Sequence, residues 1–154
     1  MHRLVATWHE ARRYRDFSWL LACGACYQAG IAVVIALAAV YAEQVLGFKQ
    51  TDTMALIFLV NIAAALGAFG FGYAQDRIGH KAALGVTLAG WIVMTVLAAV
   101  ATGAPLFWVA AVIAGLCMGS SQSAGRAIAG LFAPPAQLGE FFGLWTLATR
   151  LAAI

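Results

Sequence analysis

After a polar, basic stretch over residues 1–16, the chain alternates between long apolar runs and short polar interruptions. The apolar runs cover about 17–41, 54–73, 82–101, 106–132 and 141–154. A helix rises 1.5 Å per residue, so about 20 residues cross the ~30 Å hydrocarbon core of a bilayer. The first four runs reach that length, and the pattern predicts an all-α integral membrane fold of about five transmembrane helices. The fifth, about 14 residues long, falls short of a crossing and is expected to be a helix cut off within the bilayer rather than a re-entrant segment. The interruptions are connections: 42–53 carries Glu43, Lys49 and Asp52, 75–81 is a tight charged turn, 102–105 is uncharged, and 133–140 opens on Pro134-Pro135, which cannot continue a helix.

Composition sharpens this picture. The 154 residues are 64% hydrophobic and only 10% charged, against about 25% charged in soluble domains. A net charge of +3 would raise the question of nucleic acid in a soluble chain; here it is a topology signal, and no nucleic-acid partner is expected. Arg3, Arg12, Arg13 and Arg15 fill the lead-in at 1–16, an amphipathic segment flanked by the interfacial aromatics Trp8, Tyr14 and Trp19. The 75–81 turn holds Arg77 and Lys81, whereas the 42–53 loop sets Lys49 against two acids. Short cytoplasmic loops collect Lys and Arg, so the N-terminus, the 75–81 turn and the 133–140 connection are expected inside and 102–105 outside. An Ala- and Gly-rich chain of this kind suits a bacterial inner membrane. Cys23, Cys26 and Cys117 all lie in apolar runs, and the Cys23-Gly-Ala-Cys26 spacing is taken as apolar packing rather than a redox or metal site.

The most specific motif is Gly72-Tyr73-Ala74-Gln75-Asp76-Arg77-Ile78-Gly79-His80-Lys81. It resembles the signature turn of the major facilitator superfamily, with His80 in place of an Arg. Gly72 would let two helices approach, Asp76 and Arg77 would pair with each other and with helix ends, and Gly79 would allow a turn too tight for a Cβ. With Lys81 these residues form a candidate gating turn at the inner surface. In the fourth run, Ala111, Gly115, Gly119 and Ser123 make a small-residue stripe suited to close helix packing.

Polar groups inside a bilayer are costly and usually face a partner or a water-filled cavity. Gln122 and Arg126 share a helix face at i, i+4, and Gln28 and Asn61 are the other mid-run polar residues. If the fifth helix enters near Gly139, Arg150 lies about 16 Å in, close to mid-membrane. Gln28, Asn61, Gln122, Arg126 and Arg150 are therefore the candidate substrate-cavity residues.

A second resemblance covers nearly the whole chain. Gly115-Leu-Cys-Met-Gly119-Ser-Ser-Gln122-Ser-Ala-Gly-Arg126, Pro134, Glu140-Phe141-Phe142-Gly143-Leu144-Trp145, Arg12-Arg13-Tyr14-Arg15 and Tyr27-Gln28-Ala29-Gly30-Ile31 are similar to the vacuole-effluxer branch of that superfamily, which includes autophagy-related amino-acid exporters of fungal vacuoles and many bacterial permeases. The resemblance implies a major-facilitator-like bundle in which these are helices seven to eleven of twelve. The partners it implies are the bilayer, a small-molecule solute and a missing N-terminal half. Gln28-Ala29 stands where the branch has Asn-Asp, Leu131 where a second Arg is frequent, Arg150 where Lys is common, and Thr146 near the place of an acid; these departures bear on proton coupling and on the solute. The expected function is that of a piece of a secondary transporter moving a small polar solute such as an amino acid by alternating access. The alternative is a non-transporting membrane scaffold whose Gly115/Gly119 stripe joins copies of the chain. No catalytic residues, metal site or cofactor are expected: His2, His9 and His80 fall outside the apolar runs, and neither a nucleophile elbow nor a phosphate loop is present.

Overall fold

The computed structural model describes residues 14–152. They form α1 (Arg15–Gln44), α2 (Gln50–Ile78), α3 (His80–Ala99), α4 (Ala104–Phe132), a 3-10 turn (Pro135–Gln137) and α5 (Leu138–Leu151), with no strand among the described residues. Helices α1 to α4 are long and apolar enough to cross a membrane. Most of the basic lead-in, with Trp8, lies outside the described residues, and α1 begins at Arg15.

The helix ends follow local chemistry. At the start of α2, Lys49 is extended and its N–H donates to the Asp52 carboxylate at 3.0 Å, so the acid satisfies an otherwise unpaired backbone donor and sits favourably at the positive end of the helix dipole. At its other end α2 runs on through the charged segment expected to be a turn and stops only at Ile78. Gln75, Asp76 and Arg77 are polar yet compatible with a helix, and polarity alone does not end one. Gly79 does: its φ of +86° and ψ of 148° belong to a region almost reserved for glycine, and its N–H closes onto Gln75 O at 2.9 Å. The same residue opens α3, so the connection is a single residue long.

Of the described residues, 14–33 with 125–152 make one compact unit and 34–124 another; α1 and α4 contribute to both. The first unit is built on Phe17 and Leu21 of α1, Ala129 and Ala133 beside α4's end, and Phe141, Leu144 and Trp145 of α5. The Phe17 and Phe141 rings lie 4.6 Å apart, and Tyr14 meets Phe141 edge-on at 5.6 Å. The indole of Trp145 fills the space left by two glycines. A Cβ on Gly24 would come within 2.6 Å of its ring, and one on Gly125 within 2.8 Å.

In the second unit α2 and α4 cross almost backbone to backbone. A Cβ on Gly115 would lie 2.5 Å from Val60 O and 2.6 Å from Ala63 Cβ; on Gly119 it would run into Ala64 O, and on Gly67 into Leu116 O. Such approach is the usual means of helix association in lipid, where no hydrophobic drive separates helix from solvent. Helix α3 is pinned to α4 through the fully buried Thr87 hydroxyl, 2.9 Å from Ala83 O and 3.1 Å from Ser120 Oγ, while Ser120 in turn donates to Cys117 O at 3.1 Å. Thr87→Val is expected to lower stability by about 0.6 kcal/mol, the usual size of an interhelical hydrogen bond in a membrane protein. Unfolding in mixed micelles of rising SDS content would show it, and an unchanged midpoint would mean that Ser120 finds an equivalent partner. At the far end of the unit, Tyr41 Oη donates to Ala101 O at 2.8 Å and Phe48 lies on Phe107 and Trp108, so the 45–49 and 100–103 connections stand side by side.

Candidate functional site

The charged segment at the α2–α3 junction takes a different form from the expected gate. Asp76, Arg77, Gly79 and Lys81 are exposed. The Arg77 guanidinium donates to Tyr73 Oη at 2.9 Å and lies 4.8 Å from the centre of the Tyr73 ring, one helical turn back. It does not turn to Asp76, because neighbours in a helix point about 100° apart and only i, i+3 and i, i+4 residues meet. The role expected for Gly72 is not seen among the described residues: a Cβ there would have nothing within 4 Å, so this glycine brings no two of the described helices together. Close approach rests instead on Gly67, five residues earlier and facing Leu116, together with Gly115 and Gly119. Beneath the exposed charges, Gln75 is buried with Oε1 lacking a hydrogen-bond partner, and His80 Nδ1 is likewise buried and unpartnered.

The polar residues proposed for a solute cavity divide between the two units. In the first, Gln28 on α1 is half-buried, while Arg126 on α4 and Arg150 on α5 are exposed. Arg126 stands six residues from the Phe132 end of its helix, about 9 Å, and Arg150 twelve residues from Leu138, about 18 Å. In the second, Gln122 is exposed on α4. Asn61 is exposed too, and its amide donates to Ile57 O of its own helix at 2.8 Å.

Asn61 also borders a cavity of about 310 Å3 that sequence reasoning missed. Its walls come from α1, α2, α3 and α4, and seven of the lining residues are alanines, Ala38, Ala39 and Ala42 on α1, Ala98 on α3 and Ala110, Ala111 and Ala114 on α4. The only signal in the sequence is that spacing of small residues, which leaves room wherever two such faces oppose each other. Trp91 and Thr53 line the cavity as well; Trp91 Nε1 and Thr53 Oγ1 are both buried without a hydrogen-bond partner. Gln122 is not among the lining residues. Among the described residues no three His, Cys, Asp or Glu side chains come together as a metal site, and the three cysteines are free.

Neither the curated proteins nor the solved structures give a match to the chain. The family described as vacuole effluxer Atg22 like matches from residue 1 to residue 154. Four helices among the described residues are long and apolar enough to cross a membrane, the second and third of them joined at Gly79, and the chain belongs to that Atg22-like family of major facilitator type, an integral membrane protein of transporter type.

Proposed function

We propose that the protein works by alternating access, moving a small polar solute such as an amino acid across a bacterial inner membrane with its N-terminus on the cytoplasmic side. The observation that carries this reading is Arg150. It is exposed about 18 Å along α5, and a guanidinium at that depth in hydrocarbon costs several kcal/mol unless water or a partner receives it. A water-lined solute path supplies both, and Arg126 and Gln28 of the same unit are the other groups assigned to it. The exposed charges around Gly79 supply the inner gate in this scheme.

The scaffold alternative is weakened by the packing of its own motif. Gly115 and Gly119 lie against Val60, Ala63 and Ala64 of the same chain and are not free to join a second copy.

Arg150→Ala is expected to abolish solute binding and transport by the full reading frame in inverted membrane vesicles, with normal protein levels and an unchanged unfolding midpoint. Arg150→Lys is expected to retain part of the activity. Undiminished transport by Arg150→Ala would remove the residue from the solute path.

A further inference from the structure

Arg126 and Arg150 of the first unit stand on one edge of a helix pair. A Cβ on Gly130 would lie 3.4 Å from the Phe142 ring and one on Gly125 2.8 Å from the Trp145 ring, so α4 and α5 run antiparallel in a register that sets Arg126 level with Trp145. Arg150 is five residues further along α5, about 7.5 Å. Successive residues step round a helix by about 100°, which puts Gly130 about 140° from Gly125 and Arg126 between them, about 40° from Gly130. On α5 the same step puts Arg150 about 80° from Phe142, on the side away from Trp145. Gly24 of α1 meets the Trp145 ring, so α1 lies along the Trp145 edge of the pair, and both arginines lie along the Phe142 edge.

The Phe142 edge is open and lined with small groups. Gly139, Gly143 and Thr146 lie along it between the start of α5 and Arg150; all are exposed, and a Cβ on either glycine would have nothing within 4 Å. Two guanidiniums on one edge repel each other, and neither can shed its charge. The acids of this unit, Asp16 and Glu140, sit in the first turns of α1 and α5, and neither arginine is ion-paired with a described residue. Glu140 is ten residues, about 15 Å, before Arg150, and the Phe17–Phe141 contact holds Asp16 at that same end. Charge balance at the depth of Arg150 is therefore left to the solute. A guanidinium takes a carboxylate through two parallel N–H···O bonds, so two guanidiniums match two carboxylates. An ammonium brought to this edge would meet two cations at that depth and no acid to receive it.

We infer that the solute is a small dicarboxylate, held with one carboxylate on Arg126 and the other on Arg150, and that an ammonium group adds nothing to its binding. The inference rests on the assignment of Arg150 to the solute path and narrows the solute from polar to doubly anionic.

The test measures binding of succinate, aspartate, asparagine and butyrate, which share a four-carbon chain, to the full reading frame purified into lipid nanodiscs. Succinate is expected to bind about tenfold or more tightly than asparagine or butyrate, and aspartate no more tightly than succinate. Arg126→Gln and Arg150→Gln are each expected to weaken succinate at least about tenfold and to erase the preference for succinate over butyrate, a loss that a merely structural role would not produce. Arg126→Lys and Arg150→Lys keep the charge and are expected to keep that preference, which guards against a folding defect. Butyrate binding as tightly as succinate, or asparagine binding as tightly as succinate and still needing Arg150, would overturn the dicarboxylate and leave Arg150 in the solute path. Binding of none of the four, or succinate binding unchanged in both Gln variants, would overturn it as well; only undiminished transport by Arg150→Ala would remove the path itself.

Discussion

Gly119→Ala is expected to destabilise the protein by about 3 kcal/mol, the upper end of what one methyl group costs in a packed interior. The added carbon has no flexible side chain to displace. It meets Ala64 O and comes within 2.8 Å of Ala68 N, so α2 and α4 must separate along their whole crossing and give up the contacts that hold them together in lipid. Gly72→Ala is the matched control. It lies within α2 with open space around it and is expected to gain roughly 0.5–1 kcal/mol from helix propensity. Both variants are read by unfolding in mixed micelles. Equal midpoints for the two would refute the backbone crossing described for Gly67, Gly115 and Gly119.

Trp145→Ala is expected to cost about 3 kcal/mol or more, as for other large aromatics removed from a core. The indole is the piece of α5 that reaches both Gly24 of α1 and Gly125 of α4, and nothing else in the Phe17, Leu21 and Phe141 cluster could fill the gap. The two glycines supply a sharper check than the loss itself. Gly125→Ala alone would press a Cβ to 2.8 Å from Trp145 and 2.9 Å from Tyr27 Oη, and is expected to be destabilising. In the Trp145→Ala background the contact with the indole is gone and only that with Tyr27 remains, so the same change should cost less, giving a favourable coupling of about 1 kcal/mol in a double-mutant cycle. Strict additivity would show that the indole does not occupy that space.

These particulars show where a sequence is informative and where it stops. The membrane helices were legible because length and apolarity are properties of a single segment, and the Gly79 turn because only glycine takes its backbone angles. The end of α2 was misplaced because Gln75, Asp76 and Arg77 look like a loop by polarity, while Gln and Arg are good helix formers and Asp is tolerated. Gly72 and Gly67 could not be told apart: each sits among apolar neighbours, and which faces another helix depends on rotation about the axis, which one segment does not encode. The stripe through Gly115 and Gly119 was visible as spacing, but not the identity of α2 as its partner. The Trp91 cavity was hidden for a related reason. It is an absence, created where the alanines of α1 and α4 oppose each other, and no residue announces it.

The one-residue link at Gly79 has a mechanical consequence. A five-residue loop can absorb a helix sliding lengthwise by a turn; Gly79 cannot, because its N–H is tied to Gln75 O and it is simultaneously the last residue capping α2 and the first capping α3. The link therefore leaves α2 and α3 little room to slide past each other lengthwise. The longer connections at 45–49, where Gly47 also adopts a positive φ, and at 100–103 leave more room for such a displacement.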